Sequence, residues 1–481
     1  MRTSSQRTYI YFAFIAAAIL AAHPARSAAP APVPPAADRD LARSILKELV
    51  EIRTTHDRGS SEAAHVIEQH LLRAGFPAAD VVFIAPPDHP LKGNVIVRYR
   101  GRQGRGAGLK PVLFMGHLDV VEAAAQDWSV DPFALTEKDG YFYGRGTIDM
   151  KNGDAALLEA LIRLRRERYV PPRDVIAAFT ADEEAGGDAN GPAFLLHDRR
   201  DLIDAAFAIN LDGGGGTLNN GVRGAYRIGT AEKTYVTYTI ESTGPGGHGS
   251  LPGPDNPIYR IAHALSRLEA HKFPVALNAT TRTAFRQLAD LEPGPHSADM
   301  RAVAQDAADL AAAERLSNDP GLNAQLRTTC VATLISGGHA ENALPQRARA
   351  TIQCRMLPGD RADSVQAVLV ETIADPRITL TLDAPPIESP ESPLTPQIRQ
   401  LAERVVHSMW PGVPLVPSMS TGFSDDRQTR NAGIPSFDLS GDWSEATENR
   451  AHGRDERVSI ASFDESVEYT YRLVKEASRL K

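Results

Sequence analysis

Pro111-Val-Leu-Phe-Met-Gly-His-Leu-Asp119 carries an apolar run into a glycine, then into a histidine and an aspartate two residues apart. Apolar side chains without polar alternation read as a strand buried on both faces, and such strands belong to parallel sheets covered by helices. The pattern recurs at Val175-Ile-Ala-Ala-Phe179, followed by Thr180-Ala-Asp-Glu-Glu184, and at Ala205-Ala-Phe-Ala-Ile209, followed by Asn210-Leu-Asp212. Ligands of open α/β sheets bind in the crevice beyond the carboxyl ends of the strands. Three strands ending in His117 and Asp119, in Asp182, Glu183 and Glu184, and in Asp212 therefore gather their polar groups around one crevice.

Outward from these strands, Leu41, Ile45 and Leu49 fall at helical spacing, as do Ile67, Leu71 and Leu72, and Leu157, Leu161 and Leu164. Asn94-Val-Ile-Val-Arg98 reads as a further strand. Strands alternating with helices imply an α/β fold, a mostly parallel sheet covered by helices on both faces. After Gly224 the character changes. Tyr235, Thr237, Thr239 and Glu241 alternate with Val236, Tyr238 and Ile240, the period of a half-exposed antiparallel strand. A helix opened by Asn256-Pro257, strand runs at Val331–Ile335, Ala350–Arg355 and Ile378–Leu382, and a helix over Ser364–Ile373 complete a smaller α+β unit. Pro385-Pro386 and the Ser/Pro-rich stretch to Pro396 read as its exit, after which the α/β pattern resumes. Residues 38–223 and 387–481 thus form the two parts of one domain, with residues 224–386 inserted as a lid or dimerisation domain. The Ala-rich, helical stretch 276–323 is an excursion within the insert.

At the N-terminus, Arg2 and Arg7 precede an apolar run from Tyr9 to Ala22, and Ala25-Arg26-Ser27 follows. This is the order of a secretory signal, residues 1–27, and it implies export to a periplasm or the exterior. An uncleaved anchor helix is the alternative, but the run is short for spanning a bilayer. Residues 28–37 read as a flexible leader, and no other segment is apolar enough for stable membrane insertion. The two cysteines, Cys330 and Cys354, are too few for a disulfide scaffold or a thiolate zinc site. They stand at equal distances from Asn342 in two strand-like runs. A cross-strand disulfide and two buried thiols are both compatible with that spacing. A net charge of −8 argues against nucleic acid as a partner, because phosphate binding needs a basic face.

A lone histidine or aspartate after a strand is ordinarily a loop residue. Here Asp182-Glu-Glu184 follows a wholly apolar strand and precedes Gly186-Gly187, so a solvated helix face does not account for it. Clustered acids repel one another, and a divalent cation relieves them. Histidine nitrogen with carboxylate oxygen suits Zn²⁺, Mn²⁺ or Co²⁺. There are more candidate ligands than one open catalytic zinc needs, so two metal ions per chain are expected.

The motifs Met115-Gly-His-Leu-Asp-Val-Val121, Gly144-Arg-Gly-Thr-Ile-Asp-Met-Lys151, Thr180-Ala-Asp-Glu-Glu-Ala-Gly-Gly187 and Asn210-Leu-Asp-Gly-Gly-Gly215 continue through Gly246-Gly-His-Gly-Ser250, Ser336-Gly-Gly338 with Asn342, and Glu448-Asn-Arg-Ala-His452. In this order they resemble the co-catalytic zinc peptidase family of glutamate carboxypeptidase, aminoacylase, succinyl-diaminopimelate desuccinylase and the carnosinase-like dipeptidases. The resemblance covers the chain from about Asp38 to its end. It implies that His117 and Asp212 bind one zinc, Glu184 and His452 the other, and Asp149 both, with a cis peptide after Asp149. It also implies that Asp119 hydrogen-bonds and orients the His117 imidazole, and that Glu183 is the general base. His248 would stabilise the oxyanion, often across a dimer interface in relatives, so a homodimer is possible. Asn342 and Arg355 would anchor the substrate carboxylate. The implied activity is hydrolysis of a peptide or N-acyl amino acid amide bond, carboxypeptidase- or dipeptidase-like, with an aminoacylase-like deacylase as the alternative. From a different class, an exported binding protein that captures peptides without cleaving them is the rival reading. The long excursion departs from the compact lid of many relatives and weighs against the usual lid-to-lid dimer.

Overall fold

The strand that ends in His117 lies inside a ten-stranded sheet in the computed structural model, which describes residues 30–102, 108–187, 189–291, 294–448 and 450–480. Val112–His117 is flanked in parallel by Val175–Thr180 and Phe207–Asn210, and all three are buried along their whole length. Ser436–Asp438 continues the parallel set beside Phe207–Asn210. Beyond it come Val222–Glu232, Gly215–Asn219 and Trp443–Glu445, while Leu415–Ser420 pairs in parallel with Val222–Glu232. At the opposite flank, Asn94–Tyr99 and Val81–Ile84 are antiparallel.

Strand alternation divides the core in two. Leu113, Met115, Ile176, Ala178 and Ala208 pack with Leu195 of the helix Gly191–Asp198 on one face. Residues of the opposite parity meet the helix Lys151–Arg166, which is itself enclosed by Ala36–Glu51 and Ile460–Ser478. Sandwiched this way, Lys151–Arg166 buries polar as well as apolar positions, Asn152, Asp154 and Glu159 among them. Burying each large aliphatic side chain of these strands stabilises the fold by roughly 1.5–3 kcal/mol.

The second sheet has four antiparallel strands in the order Thr329–Gly337, Arg347–Met356, Thr234–Thr243, Ile378–Leu382. Val236, Tyr238, Ile240, Ala350 and Ile352 pack from it against Ile261 and Leu369 of the helices Pro257–Ala270 and Ala362–Ile373. Cys330 stands opposite Cys354 in the register, and the two are disulfide-bonded.

Two boundaries move from their expected places. Val222–Glu232 hydrogen-bonds within the large sheet, so the change of sheet falls between Glu232 and Thr234 and not at Gly224. The first helix starts at Ala36, inside the expected leader. The excursion forms the helices Ala279–Leu291, Ser297–Gln305, Leu310–Leu316 and Pro320–Leu326 around a core of Phe285, Val303 and Leu316. It packs on Leu415–Ser420 of the large sheet, to which Gln325 Nε2 donates at the Met419 carbonyl. The signal segment lies outside the described residues. No helix among the described residues is long and apolar enough to cross a membrane.

Candidate metal centre

The sheet delivers its polar groups at one edge. His117 closes Val112–His117, Glu183 and Glu184 lie in the turn after Val175–Thr180, and Asp212 follows Phe207–Asn210. Asp149 precedes the helix Lys151–Arg166, and the Asp149–Met150 peptide is cis. His452 comes from the loop before Arg457–Ser459. His117, Asp149 and Asp212 converge as one group able to hold a cation, and Asp149, Glu184 and His452 as another. Asp149 Oδ1 is 3.2 Å from His117 Nε2, and Oδ2 is 3.1 Å from His452 Nε2. Asp212 Oδ1 lies 3.5 Å from His117 Nε2, and Glu184 Oε2 lies 2.9 Å from His452 Nε2.

The surrounding hydrogen bonds set these orientations. His117 Nδ1 donates to the main-chain carbonyl of Asp119 at 3.0 Å. A carbonyl only accepts, so Nδ1 carries a proton, and Nε2 is the ring nitrogen turned to Asp149 and Asp212. The Asp119 carboxylate, expected to hydrogen-bond that imidazole, has its Oδ1 3.9 Å from Nδ1. It accepts instead from the backbone N–H groups of Glu183 and Glu184, each at 3.1 Å, and so fixes the turn that presents both glutamates. Asp182, buried beneath this turn, pairs with Lys92 and His56.

Two residues without an expected role tie the far ligands together. Glu456 Oε1 accepts from the N–H of Ile148 at 2.9 Å and of Asp149 at 3.2 Å. Arg145 Nη1 donates to Glu456 Oε2 at 2.6 Å, while Nη2 reaches the carbonyls of His452 and Gly453. One buried guanidinium therefore holds the backbone around both Asp149 and His452. Arg145 lay within a quoted motif, but nothing local in the sequence pairs it with Glu456.

The electrostatics call for positive charge. Burial pushes the Glu183 carboxyl well above the usual carboxylate range, and repulsion from Asp212, Asp425 and Glu184 adds to this against the pull of His117. Burial likewise raises Asp212 to about 7 despite His117. Asp149 is the exception: burial opposes its charge, but the imidazoles of His117 and His452 beside it hold it well below the usual range. Hydrogen bonds to Asp149 and Glu184 push His452 up to about 10. Acids that draw protons onto two imidazoles form a site that divalent ions satisfy better. The buried His117 Nε2 has no hydrogen-bond partner, which also fits a metal ligand. The nitrogen and oxygen donors suit Zn²⁺, Mn²⁺ or Co²⁺.

His248, Asn342 and Arg355 stand apart from this cluster, on the second sheet and its loops. His248 is exposed on a two-residue strand paired with Ala343–Leu344, and its Nδ1 accepts from Ser250 Oγ at 2.7 Å. Asn342, also exposed, adjoins it through a bond from the Gly249 N–H to the Asn342 carbonyl at 2.7 Å. Arg355 is half-buried over Tyr235 and Phe423, reaching from the second sheet to the loop that follows Leu415–Ser420.

The sequence profile of peptidase family M20/M25/M40 matches residues 113–476. The human protein named N-fatty-acyl-amino acid synthase/hydrolase PM20D1 is 30% identical over 392 residues, which cover 78% of this chain and 76% of that one. A protein of Dictyostelium discoideum named probable carboxypeptidase S-like 2 is 30% identical over 403 residues, covering 81% of this chain and 76% of that one. Among solved structures, the M20 family metallo-carboxypeptidase Sso-CP2 from Sulfolobus solfataricus shares the fold with a TM-score of 0.67. It is 16% identical, and the match covers 91% of this chain and 99% of that one.

Proposed function

This chain belongs to peptidase family M20/M25/M40, a family of metal-dependent hydrolases acting on amide bonds, and from that premise we propose that it cleaves a peptide or N-acyl amino acid bearing a free α-carboxylate. One observation carries the reading: two cation-binding groups share Asp149, with a separate carboxylate oxygen turned to each. His117 and Asp212 would complete one site, and Glu184 and His452 the other, with Zn²⁺ the ion expected and Co²⁺ or Mn²⁺ able to replace it. When bound, such a pair lowers the pKa of water and polarises the scissile carbonyl. Glu183 fits the general base. Its Oε1 is buried without a hydrogen-bond partner, which leaves that oxygen to take a proton from the attacking water and return it to the leaving amine. Asp119 positions that glutamate through the backbone of the turn. His248 would assist the oxyanion, and Asn342 and Arg355 would hold the carboxylate, once the second sheet closes on the substrate.

The reading includes export. The N-terminal signal pattern supports it, and so does the Cys330–Cys354 disulfide, a bond that persists in oxidising compartments. A homodimer is supported by the edge strand Thr329–Gly337, unpaired on its outer side among the described residues, where Val331, Leu334 and Ile335 are all exposed.

A second reading, a deacylase for long acyl groups, is favoured by a cavity of about 330 Å³ between the excursion and Leu415–Ser420, lined by Phe285, Leu288, Leu322, Val416 and Met419. The human relative's name points the same way. Hydrolysis of dipeptides and of short- and long-chain N-acyl amino acids by metal-free, zinc-restored and Glu183→Gln protein tests both readings. Zinc-dependent turnover that is lost in Glu183→Gln with metal retained supports the mechanism, and the preferred acyl group separates the two readings. Absence of both zinc binding and turnover overturns it.

A further inference from the structure

Several buried arginines in this fold meet a carboxylate. Arg145 pairs with Glu456, Arg163 with Glu468 and Arg430 with Asp426. Arg427 does not. It is 8% exposed, its Nε is buried without a hydrogen-bond partner, and its guanidinium lies 4.1 Å over the ring of Phe423. Arg355 approaches the same ring at 5.7 Å, stacks on Tyr235 at 4.8 Å, and likewise has a buried Nη1 without a partner. Among the described residues, then, two guanidinium groups share one aromatic ring and neither has an anion.

Their surroundings point to where the anion comes from. The two cations repel each other, which adds to the effect of burial in holding Arg355 below its ordinary pKa. Contact with the face of Phe423 uses no N–H of either guanidinium, so the N–H groups are left for a ligand. Nη2 of Arg427 lies against Gly186, in the turn that carries Glu183 and Glu184, where the glycine presents no side chain. Arg355 belongs to the second sheet and Arg427 to the large domain, so an anion between them touches both.

We propose that Arg427 is the large-domain half of a two-arginine clamp for the substrate α-carboxylate, with Arg355 as the other half. The clamp rests on the function proposed above and adds a specificity-determining residue to it. A carboxylate accepts two parallel N–H bonds from a guanidinium fork, and a second fork takes its remaining lone pairs. The carboxylate thereby joins the second sheet to the turn bearing the base.

The test compares one acyl amino acid with its α-carboxamide, using zinc-loaded wild type, Arg427→Met, Arg427→Lys and Arg355→Met. The wild type is expected to favour the acid, and Arg427→Met to shrink the acid-to-amide ratio of kcat/KM by about 10- to 100-fold, chiefly through KM. Arg427→Lys, which keeps the charge but loses the fork, should fall between and provides the readout should the methionine variant fail to fold. Equal losses on acid and amide, or an unchanged ratio, overturn the clamp. Should the wild type turn over neither substrate, the proposed function fails by itself. Calorimetric titration of the zinc-loaded proteins with the acid and the amide then decides the clamp. Preferential binding of the acid that disappears in the Arg427 variants sustains it, and equal binding of acid and amide by wild type overturns it.

Discussion

Asp149 turns one carboxylate oxygen to each of two histidines, with Oδ1 3.2 Å from His117 Nε2 and Oδ2 3.1 Å from His452 Nε2. The histidines could hardly be less alike in setting: the His117 side chain is 2% exposed at a strand end, and that of His452 is 55% exposed on a loop. The shared carboxylate makes one centre of them, and Glu456 with Arg145 holds the backbone on both sides.

Replacing Asp149 by asparagine leaves the shape and removes one of the two oxygens. One histidine then faces an N–H₂ group, which cannot join it in binding a cation. Zinc content after equilibrium dialysis is expected to fall from two ions per chain to one or none. Amide hydrolysis should fall by at least about 10²-fold, since the bridging group serves both ions. Retention of two ions with near-normal turnover would refute a bridging role.

Asp119→Asn separates the two functions of that residue. The main-chain carbonyl still accepts from His117 Nδ1, but the amide can accept only one of the N–H bonds from Glu183 and Glu184. The loss should fall on the ion held by Glu184, weakening it by about 10- to 100-fold while the ion held by His117 is little changed. Competition with a chelator resolves two affinities. An equal loss at both sites would show that the carboxylate, and not the carbonyl, governs the imidazole.

What could be read in the sequence follows from which interactions are local. An apolar strand announces itself within a few residues, so the strands ending at His117, Thr180 and Asn210, and the histidine and carboxylates that gather at and beyond their ends, were legible. The passage from Glu232 to Thr234 was not, because one alternating run continues while its hydrogen-bonding partner changes from the large sheet to the small. Arg145 with Glu456, and Arg355 with Arg427, join residues far apart in the chain, and no periodicity marks such pairs. Asp119 was expected near His117, and it is there, but only coordinates distinguish its carbonyl from its carboxylate.

Glu159 offers a pH-dependent test away from the metal centre. It is fully buried, both carboxylate oxygens lack hydrogen-bond partners, and burial with repulsion from Asp38 pushes its pKa up to about 8. Between the unfolded value of 4.5 and 8, the folded chain holds a proton that the unfolded chain has released. Folding is therefore weakened progressively as pH rises through this window, and the penalty is absent below it. Glu159→Gln removes that dependence. Its stability relative to wild type should improve by about 2–4 kcal/mol between pH 5 and pH 8.5, measured by urea denaturation. A constant difference across that range would show that Glu159 does not titrate anomalously.

The Cys330–Cys354 disulfide joins unequal partners. Cys354 is fully buried in the core of the second sheet, whereas Cys330 opens the edge strand Thr329–Gly337, whose residues from Val331 on are exposed. Among the described residues the edge strand has a hydrogen-bonded neighbour on one side only, so the covalent link does for it what a second neighbour does for an inner strand. The cysteines are 24 residues apart, and closing a loop of that size in the unfolded chain corresponds to about 3 kcal/mol. The Cys330→Ala/Cys354→Ala protein should lose roughly that stability in denaturant. Its amide hydrogen exchange should quicken first along Thr329–Gly337, before the large sheet responds. Exchange in the edge strand matching that of wild type would mean that pairing with Arg347–Met356 alone holds the strand, and that the disulfide contributes only through the unfolded chain.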